Sequence, residues 1–276
     1  MTKASDAPHL FLKFNPESVD IIHSFIKQKM DESNADGVVI GLSGGLDSAV
    51  VTKLCADAMG PKKVLALILP DSATPEEDIR DAVALAAEFR VDYRVIDITD
   101  TIAAFSSLLS PMQLTPKALG NIKARCRMIV LYVHANLESR LVMGSSNKSE
   151  MLTGYFTKFG DGGADFAPIG DLYKTQIREL AKAIDIPQDI INKTPSAGLA
   201  EGQTDEGELG ITYDALDRIL LGIELKLKAE DIAEKVGCEK DEVLRIHDMV
   251  RKNVHKRKMP LIPKIGIRTF GLDWRE

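Results

Sequence analysis

Two rhythms of apolar residues alternate through the first half of the chain. Val38 to Leu42 and Val64 to Leu69 are continuous apolar runs, and Arg94-Val-Ile-Asp-Ile98 and Arg140-Leu-Val-Met-Gly144 are shorter ones. Runs of this length without polar alternation suit strands buried on both faces of a parallel sheet. Between them the spacing becomes helical. Asn15-Pro16-Glu17 opens a first helix, a capping residue followed by Pro, with Ile21, Ile22, Phe25 and Ile26 as its stripe. Helices are also expected over 49–59, from Thr74-Pro75-Glu76-Glu77 to Phe89, and over 99–109 and 116–138. The alternation predicts an α/β fold, a doubly wound, mostly parallel sheet flanked by helices. The second half reads as helices at 173–184, 188–192, 212–222, 229–236 and 239–254, a helical C-terminal extension of the same domain. Residues 1–14 form an N-terminal arm, and 15–276 one domain.

The most informative junction is the first strand-to-helix turn, Ser43-Gly44-Gly45-Leu46-Asp47-Ser48. Adjacent glycines let backbone N–H groups approach an anion closely, and the following helix directs its positive end there. Ser43 and Ser48 add hydroxyls. A carboxylate, Asp47, beside a phosphate makes sense if a divalent cation sits between them. The turn lacks the lysine of a nucleoside-triphosphate P-loop, and Gly41, Gly44 and Gly45 miss the dinucleotide-binding offsets. Ligands of such sheets bind at the strands' carboxyl ends. That rim also carries Pro70 to Pro75 and Gly144-Ser-Ser-Asn-Lys-Ser-Glu150. Glu150 is either a helix-start acid complementing the dipole or a second metal ligand with Asp47; its place after a serine-rich turn on this rim favours metal.

Composition narrows the class without naming a reaction. The 276 residues are 45% hydrophobic and 28% charged, with a formal charge of −6, ordinary for a globular chain. The acidic balance argues against nonspecific nucleic-acid binding. No apolar run is long enough for a membrane span, and the N-terminus lacks a signal-peptide core, so a cytoplasmic protein is expected. Cys55, Cys126 and Cys238 read as reduced packing residues, and His23 and His134 as structural. Trp274 reads as an anchor for the tail.

Residues 154–174 form a long loop-like stretch of glycines, aromatics, lysines and aspartates. Long ordered loops are usually functional, but a solvated surface loop has the same composition. Arg125 and Arg127 fall on a helix, where a solvated basic face is the alternative to a ligand contact. The glycine-rich, acidic stretch 198–210 suits a mobile flap.

The glycine turn resembles the Ser-Gly-Gly-x-Asp-Ser pyrophosphate-binding loop of the N-type ATP pyrophosphatases. The chain from about 15 to 270 is similar to the ammonia-dependent NAD synthetases in further segments. These are Gly120-Asn-Ile-Lys-Ala-Arg-Cys-Arg-Met128, Asn147-Lys-Ser-Glu150, Gly154-Tyr-Phe-Thr-Lys-Phe-Gly-Asp-Gly-Gly163, Pro168-Ile-Gly-Asp-Leu-Tyr-Lys174, Pro195-Ser-Ala197, Gly202-Gln-Thr-Asp-Glu206 and His255-Lys-Arg257. The resemblance implies a Rossmann-like fold of the adenine-nucleotide α-hydrolase type. It implies amidation of deamido-NAD with ammonia through an adenylate, with AMP and pyrophosphate released. It assigns ATP to Gly41, Leu42, Ser43, Gly44, Gly45, Leu46, Asp47, Ser48, Ser145, Lys174 and Ser196. Deamido-NAD falls to Arg125, Lys158, Asp165, His255 and Lys256, and Mg²⁺ to Asp47 and Glu150. Asp47 and Lys174 are the implied catalytic residues. Gly144-Ser-Ser stands where many relatives have Gly-Thr, so Ser145 keeps a hydroxyl. The family is homodimeric, with the dinucleotide near the subunit interface. Larger relatives carry an N-terminal glutaminase; with about 14 residues before the first helix, free ammonia is the expected nitrogen source.

The residues agree independently. No histidine or cysteine in these motifs has a nucleophile's setting, and none is needed if the substrate's own carboxylate attacks; positioning and charge neutralisation remain. Two other classes keep the loop: a purine-amidating or tRNA-modifying ATP pyrophosphatase, and a non-catalytic nucleotide-binding module. The acidic balance and the lack of paired Cys-x-x-Cys motifs disfavour a tRNA thiolase, and a binding module needs neither the acid pair nor the long loop.

Overall fold

The computed structural model describes residues 12–110, 112–196, 198 and 204–268. Most of the N-terminal arm, residues 199–203 of the proposed flap, and Trp274 lie outside the described residues.

Four parallel strands form one sheet in the order β3-β2-β1-β4. They are β1 (Gly37–Gly41), β2 (Val64–Ile68), β3 (Asp92–Val95) and β4 (Arg140–Met143). Helix α1 (Ser18–Ser33) precedes β1, and α2 (Leu46–Met59), α3 (Glu76–Glu88), α4 (Thr99–Leu108) and α5 (Pro116–Leu137) follow in chain order between the strands. After β4 come α6 (Lys148–Thr153), α7 (Lys174–Ala183), α8 (Gln188–Asn192), α9 (Asp205–Leu209), α10 (Tyr213–Glu224), α11 (Ala229–Val236) and α12 (Lys240–Lys252), then a 3-10 turn at Val254–Arg257.

Period-two geometry sends alternate strand residues to opposite faces, and here both faces are apolar. Val38, Ile40, Val64, Ala66 and Ile68 pack with α1, α2, α3 and α7. Val39, Leu65, Leu67 and Val142 pack on the other side with α4 and α5. Both faces being covered is what made the strands read as unbroken runs. The C-terminal helices α10–α12 close a separate small core around Tyr213, Leu216, Leu220, Ile232 and Ile246.

Four local expectations shift. The first helix begins at Ser18 rather than at Pro16; Asn15 Oδ1 instead accepts from Glu17 N–H in the turn before it. The third strand begins at Asp92, two residues before Arg94, and it is an exposed edge strand with no apolar run to mark it. Thr74 does not cap α3; its hydroxyl accepts from Asp71 N–H and closes the preceding rim loop. Within 198–210, residues 204–210 are folded: α9 is capped by Thr204 and buries Asp205 and Leu209. Cys55, Cys126 and Cys238 carry free thiols. Among the described residues no helix is long and apolar enough to cross a membrane.

Candidate active site

Strands β1 and β4 are neighbours, and β1 also pairs with β2, so the strand order reverses between β1 and β4 while all strands stay parallel. A crevice at the carboxyl ends of such strands is the expected ligand position. The glycine turn follows β1 there. Gly44 has φ +77, a left-handed conformation that suits glycine. The loop holds itself: Ser48 Oγ donates to Gly45 O (3.0 Å), and the Ser43 and Ser48 hydroxyls lie 3.1 Å apart. Lys193, just after α8, fixes it from outside, its ammonium donating to Gly44 O (3.2 Å) and pairing with Asp78 (2.7 Å) and Asp81 of α3.

Asp47, in the first turn of α2, receives the Lys174 ammonium on both oxygens at 2.8 Å. Asn147 Nδ2 also donates to it, at 2.9 Å. Lys174 is 4% exposed, so this pair is shielded from water. Asn147 and Glu150 form a capping box at the start of α6: Asn147 Oδ1 accepts from Glu150 N–H (2.9 Å), and Glu150 Oε2 from Asn147 N–H (3.2 Å). The box holds the Glu150 carboxyl where the Asp47 charge acts on it. Burial, and then the Asp47 charge, push the Glu150 carboxyl well above the usual range. Burial would lower the Lys174 ammonium, but Asp47 and Glu150 outweigh it and raise its pKa. Asp205 completes the cluster from α9. Tyr213 Oη donates to its Oδ2 (3.1 Å), burial raises its pKa, and Lys174 opposes that shift. The Lys174 ammonium also lies 5.6 Å from the Tyr213 ring centre.

The other expected residues group around the loop after α6. Lys158 Nζ donates to His255 O (2.7 Å) and Lys258 O (3.2 Å); Lys256 Nζ donates to Gly154 O (2.6 Å) and Phe156 O (2.8 Å). Arg257 reaches Met151 O (3.1 Å) and Leu152 O (2.7 Å). The basic segment therefore clips the C-terminal turn onto the 154–163 loop. Exposed Arg125 donates to Lys158 O at 3.3 Å, beside the same loop, and the His255 side chain is exposed. Asp165 lies alongside β4, accepting from Val142 N–H (2.8 Å) and Tyr132 Oη (3.1 Å). Ser145 follows β4 on the rim, half-buried; Ser196 is exposed and accepts from Gly198 N–H at 3.1 Å.

Several residues of this site were not singled out from the sequence. Asn147 was legible, because Asn-x-x-Glu before a helix is a capping-box signature. Asp205 lay within the Gly202-Gln-Thr-Asp-Glu206 segment of the resemblance without a role of its own, and Lys193 had no such local mark. Nor did buried Asp71, on the β2 rim loop, which pairs with Lys123 (2.9 Å) and Arg127 (2.8 Å) of α5. Arg127 is thus an internal ion-pair partner rather than part of a solvated face.

The arrangement suits a triphosphate and a hard cation together. Among the described residues no three His, Cys, Asp or Glu side chains are grouped to hold a metal on their own. The Asp47 and Glu150 charges nonetheless act on each other, and Asp205 Oδ1 is buried without a hydrogen-bond partner among the described residues. A Mg²⁺ ion binds through one or two carboxylates and takes its remaining oxygens from phosphate and water. The donor set fits that mode.

Known proteins bear on this geometry. The family model of NAD synthase matches residues 18–260. An NH3-dependent NAD⁺ synthetase of Pyrococcus horikoshii is 48% identical over 246 residues, covering 89% of this chain and 93% of that protein. One from Methanococcoides burtonii is 44% identical over 247 residues, covering 89% and 94%. Among solved structures, an NMN synthetase of Francisella tularensis superposes with a TM-score of 0.82 at 36% identity, covering 92% of this chain and all of that one. The NH3-dependent NAD synthetase of Campylobacter jejuni, in complex with nitrate, gives 0.77 at 32% identity and covers 92% of this chain. The chain belongs to the NAD synthase family.

Proposed function

We infer that this protein is an ammonia-dependent NAD synthetase that amidates deamido-NAD at the expense of ATP. One observation carries the reading: the glycine turn, Asp47, Glu150 and Lys174 converge at the sheet's switch point in a chain 48% identical to such an enzyme over most of its length. Residues Gly41 to Ser48, Ser145, Lys174 and Ser196 hold ATP, with the turn's backbone and the start of α2 facing the phosphates. Asp47 and Glu150 hold Mg²⁺, which supplies charge neutralisation at the phosphates. The nicotinate carboxylate of deamido-NAD attacks the α phosphorus, and the bond to the β phosphate breaks. Lys174, exchanging Asp47 for phosphate oxygen, stabilises the charge that moves onto pyrophosphate. Ammonia then attacks the acyl carbon, AMP leaves, and the nitrogen loses a proton. Arg125, Lys158, Asp165, His255 and Lys256 bind deamido-NAD, the lysine ammonium groups exchanging backbone carbonyls for phosphate.

The test is product identification after incubation with ATP, Mg²⁺, deamido-NAD and either ammonium or glutamine. AMP, pyrophosphate and NAD should form with ammonium and only weakly with glutamine. ADP and phosphate as products would exclude the reaction. An arm with nicotinate mononucleotide addresses the product named for the Francisella relative; faster turnover in that arm would reassign the substrate.

The enzyme acts as a cytoplasmic homodimer in this reading. Ile129, Val133 and Leu137 recur every fourth residue on one face of α5 and are 49%, 47% and 78% exposed; Leu108 of α4 is 74% exposed. Such a patch on a globular protein marks an interaction surface. Arg125 begins the same stripe one turn earlier, which sets the dinucleotide-binding groups beside the interface. Val133→Glu should convert a dimer into a monomer by light scattering; a monomeric parent protein would sink the proposal.

A further inference from the structure

The geometry points to Asp217 as a positioning residue that sets Glu150 and Lys174 in register from beneath the site; we propose this on the reading of those two as the metal and phosphate groups. Asp217 is 0% exposed and stands on α10, in the C-terminal helical module and not on the sheet. Its Oδ1 accepts from Ser149 Oγ at 2.5 Å. Its Oδ2 accepts from Thr175 N–H and from Thr175 Oγ1, each at 2.9 Å. Ser149 Oγ in turn accepts from Lys174 N–H at 3.0 Å. One carboxylate therefore joins the first turns of α6 and α7, at the residue immediately before Glu150 and the residue immediately after Lys174.

A helix start leaves backbone N–H groups without partners. At α7 the N–H of Lys174 is met by Ser149 and that of Thr175 by Asp217, so the bearing of α7 is fixed by two side chains from other helices. A buried negative charge there also complements the helix dipole. Because each atom of the carboxylate is satisfied by a donor from α6 or α7, the two helices cannot rotate independently without leaving a buried charge unpaired. Besides this linkage, α10 brings Tyr213 to the site, its hydroxyl donating to Asp205. Glu150 projects from α6 and Lys174 from α7, so the separation of the two groups is set by the Asp217 bridge.

Partners behind metal ligands typically tune metal affinity by about 10- to 100-fold. Asp217→Asn is isosteric, but it must put an amide NH2 where donation from Ser149 Oγ or from Thr175 is now accepted, so at least one bond is lost. The expected result is a roughly tenfold or larger weakening of Mn²⁺ binding, measured by electron paramagnetic resonance with a non-hydrolysable ATP analogue. Turnover should fall by about 10- to 100-fold, with the KM for deamido-NAD unchanged. Asp214→Asn, on the solvent side of α10, is the control. Should Asp217→Asn fail to fold, Thr175→Val removes one donor and should weaken Mn²⁺ binding partially, while Thr175→Ser should restore it. A melting temperature that drops while Mn²⁺ affinity stays at the parent value would overturn the inference and leave Asp217 a packing residue. Glu150→Gln is run in parallel. If it binds Mn²⁺ normally, the metal reading falls and the inference with it; if it loses Mn²⁺ and Asp217→Asn does not, only the inference falls.

Discussion

Lys174→Met should lower the rate of NAD formation by at least about 10²- to 10³-fold, the range seen when one preorganised charge-stabilising donor is removed. It should also destabilise the protein. Lys174 is the cation among Asp47, Glu150 and Asp205, and it is nearly buried. Taking one partner from a buried ion pair costs about 3–5 kcal/mol, because the remaining charge stays in the interior. The pH dependence of that cost has a definite sign. In the parent protein the raised Lys174 pKa contributes stability below the unfolded-state value and loses it only as alkaline pH rises through the folded-state value. In the variant, Glu150 and Asp205 lose an opposing charge, and burial raises their carboxyl groups further. A raised carboxyl means the folded state binds protons more tightly than the unfolded chain, so the variant gains stability as pH falls. Urea unfolding at about pH 8 and about pH 5.5 should therefore show the deficit narrowing on acidification. A deficit that widens would mean that the carboxylates, and not the lysine, hold the cluster together.

The layered fold was legible because its causes are local. Val38 to Leu42 and Val64 to Leu69 read as buried strands since both of their faces meet helices, with Val39 turned to α5 and Ile40 to α2. The edge strand was displaced for the complementary reason. Asp92-Tyr-Arg-Val95 is exposed throughout, so its pairing leaves no apolar trace; Ile96 and Ile98, which attracted the assignment, lie just past the strand, packed with Leu65 and Leu67 of β2 and bonded through Ile96 N–H to Ile68 O and Ile98 N–H to Pro70 O. Asp47 and Glu150 could be placed on one rim from topology. The resemblance put Lys174 at ATP, but that it reaches Asp47 across 127 residues was not legible from motif or spacing. Asp205 shows the limit most clearly. Its segment is acidic and glycine-rich, which suggests solvent, yet Tyr213 and Lys174 give its carboxylate a buried setting. Long-range charge partners of this kind leave no periodic signature, and Asp71 with Lys123 and Arg127 is a second instance.

Gly44→Ala should be the most damaging single methyl group that can be added to the protein's phosphate turn, and Gly45→Ala should be comparatively mild. At Gly44 the backbone is left-handed, φ +77, which costs an L-residue about 1–2 kcal/mol. The added Cβ would also stand 2.3 Å from the backbone oxygen of Asp78. That oxygen belongs to the first turn of α3 and cannot rotate away as a side chain would, so either α3 or the turn must move, and overpacking of this kind costs about 1–3 kcal/mol. The turn has little freedom to yield, because Lys193 ties Gly44 O to Asp78 and Asp81 of the same helix. At Gly45 the backbone is extended, and a Cβ would meet only Ser43 Oγ at 3.3 Å, the end of a side chain that can turn. Melting curves should thus separate the two variants by roughly 5–15 °C, from a difference of a few kcal/mol in a chain of this size. Nucleotide binding supplies the second reading. Moving the turn displaces the N–H groups that face the phosphates, so Gly44→Ala should lose ATP-dependent stabilisation as well as intrinsic stability, whereas Gly45→Ala should keep the first turn of α2 and retain most of it. Equal melting temperatures for the two variants would show that the approach of α3 to the turn is not what holds the phosphate loop in shape.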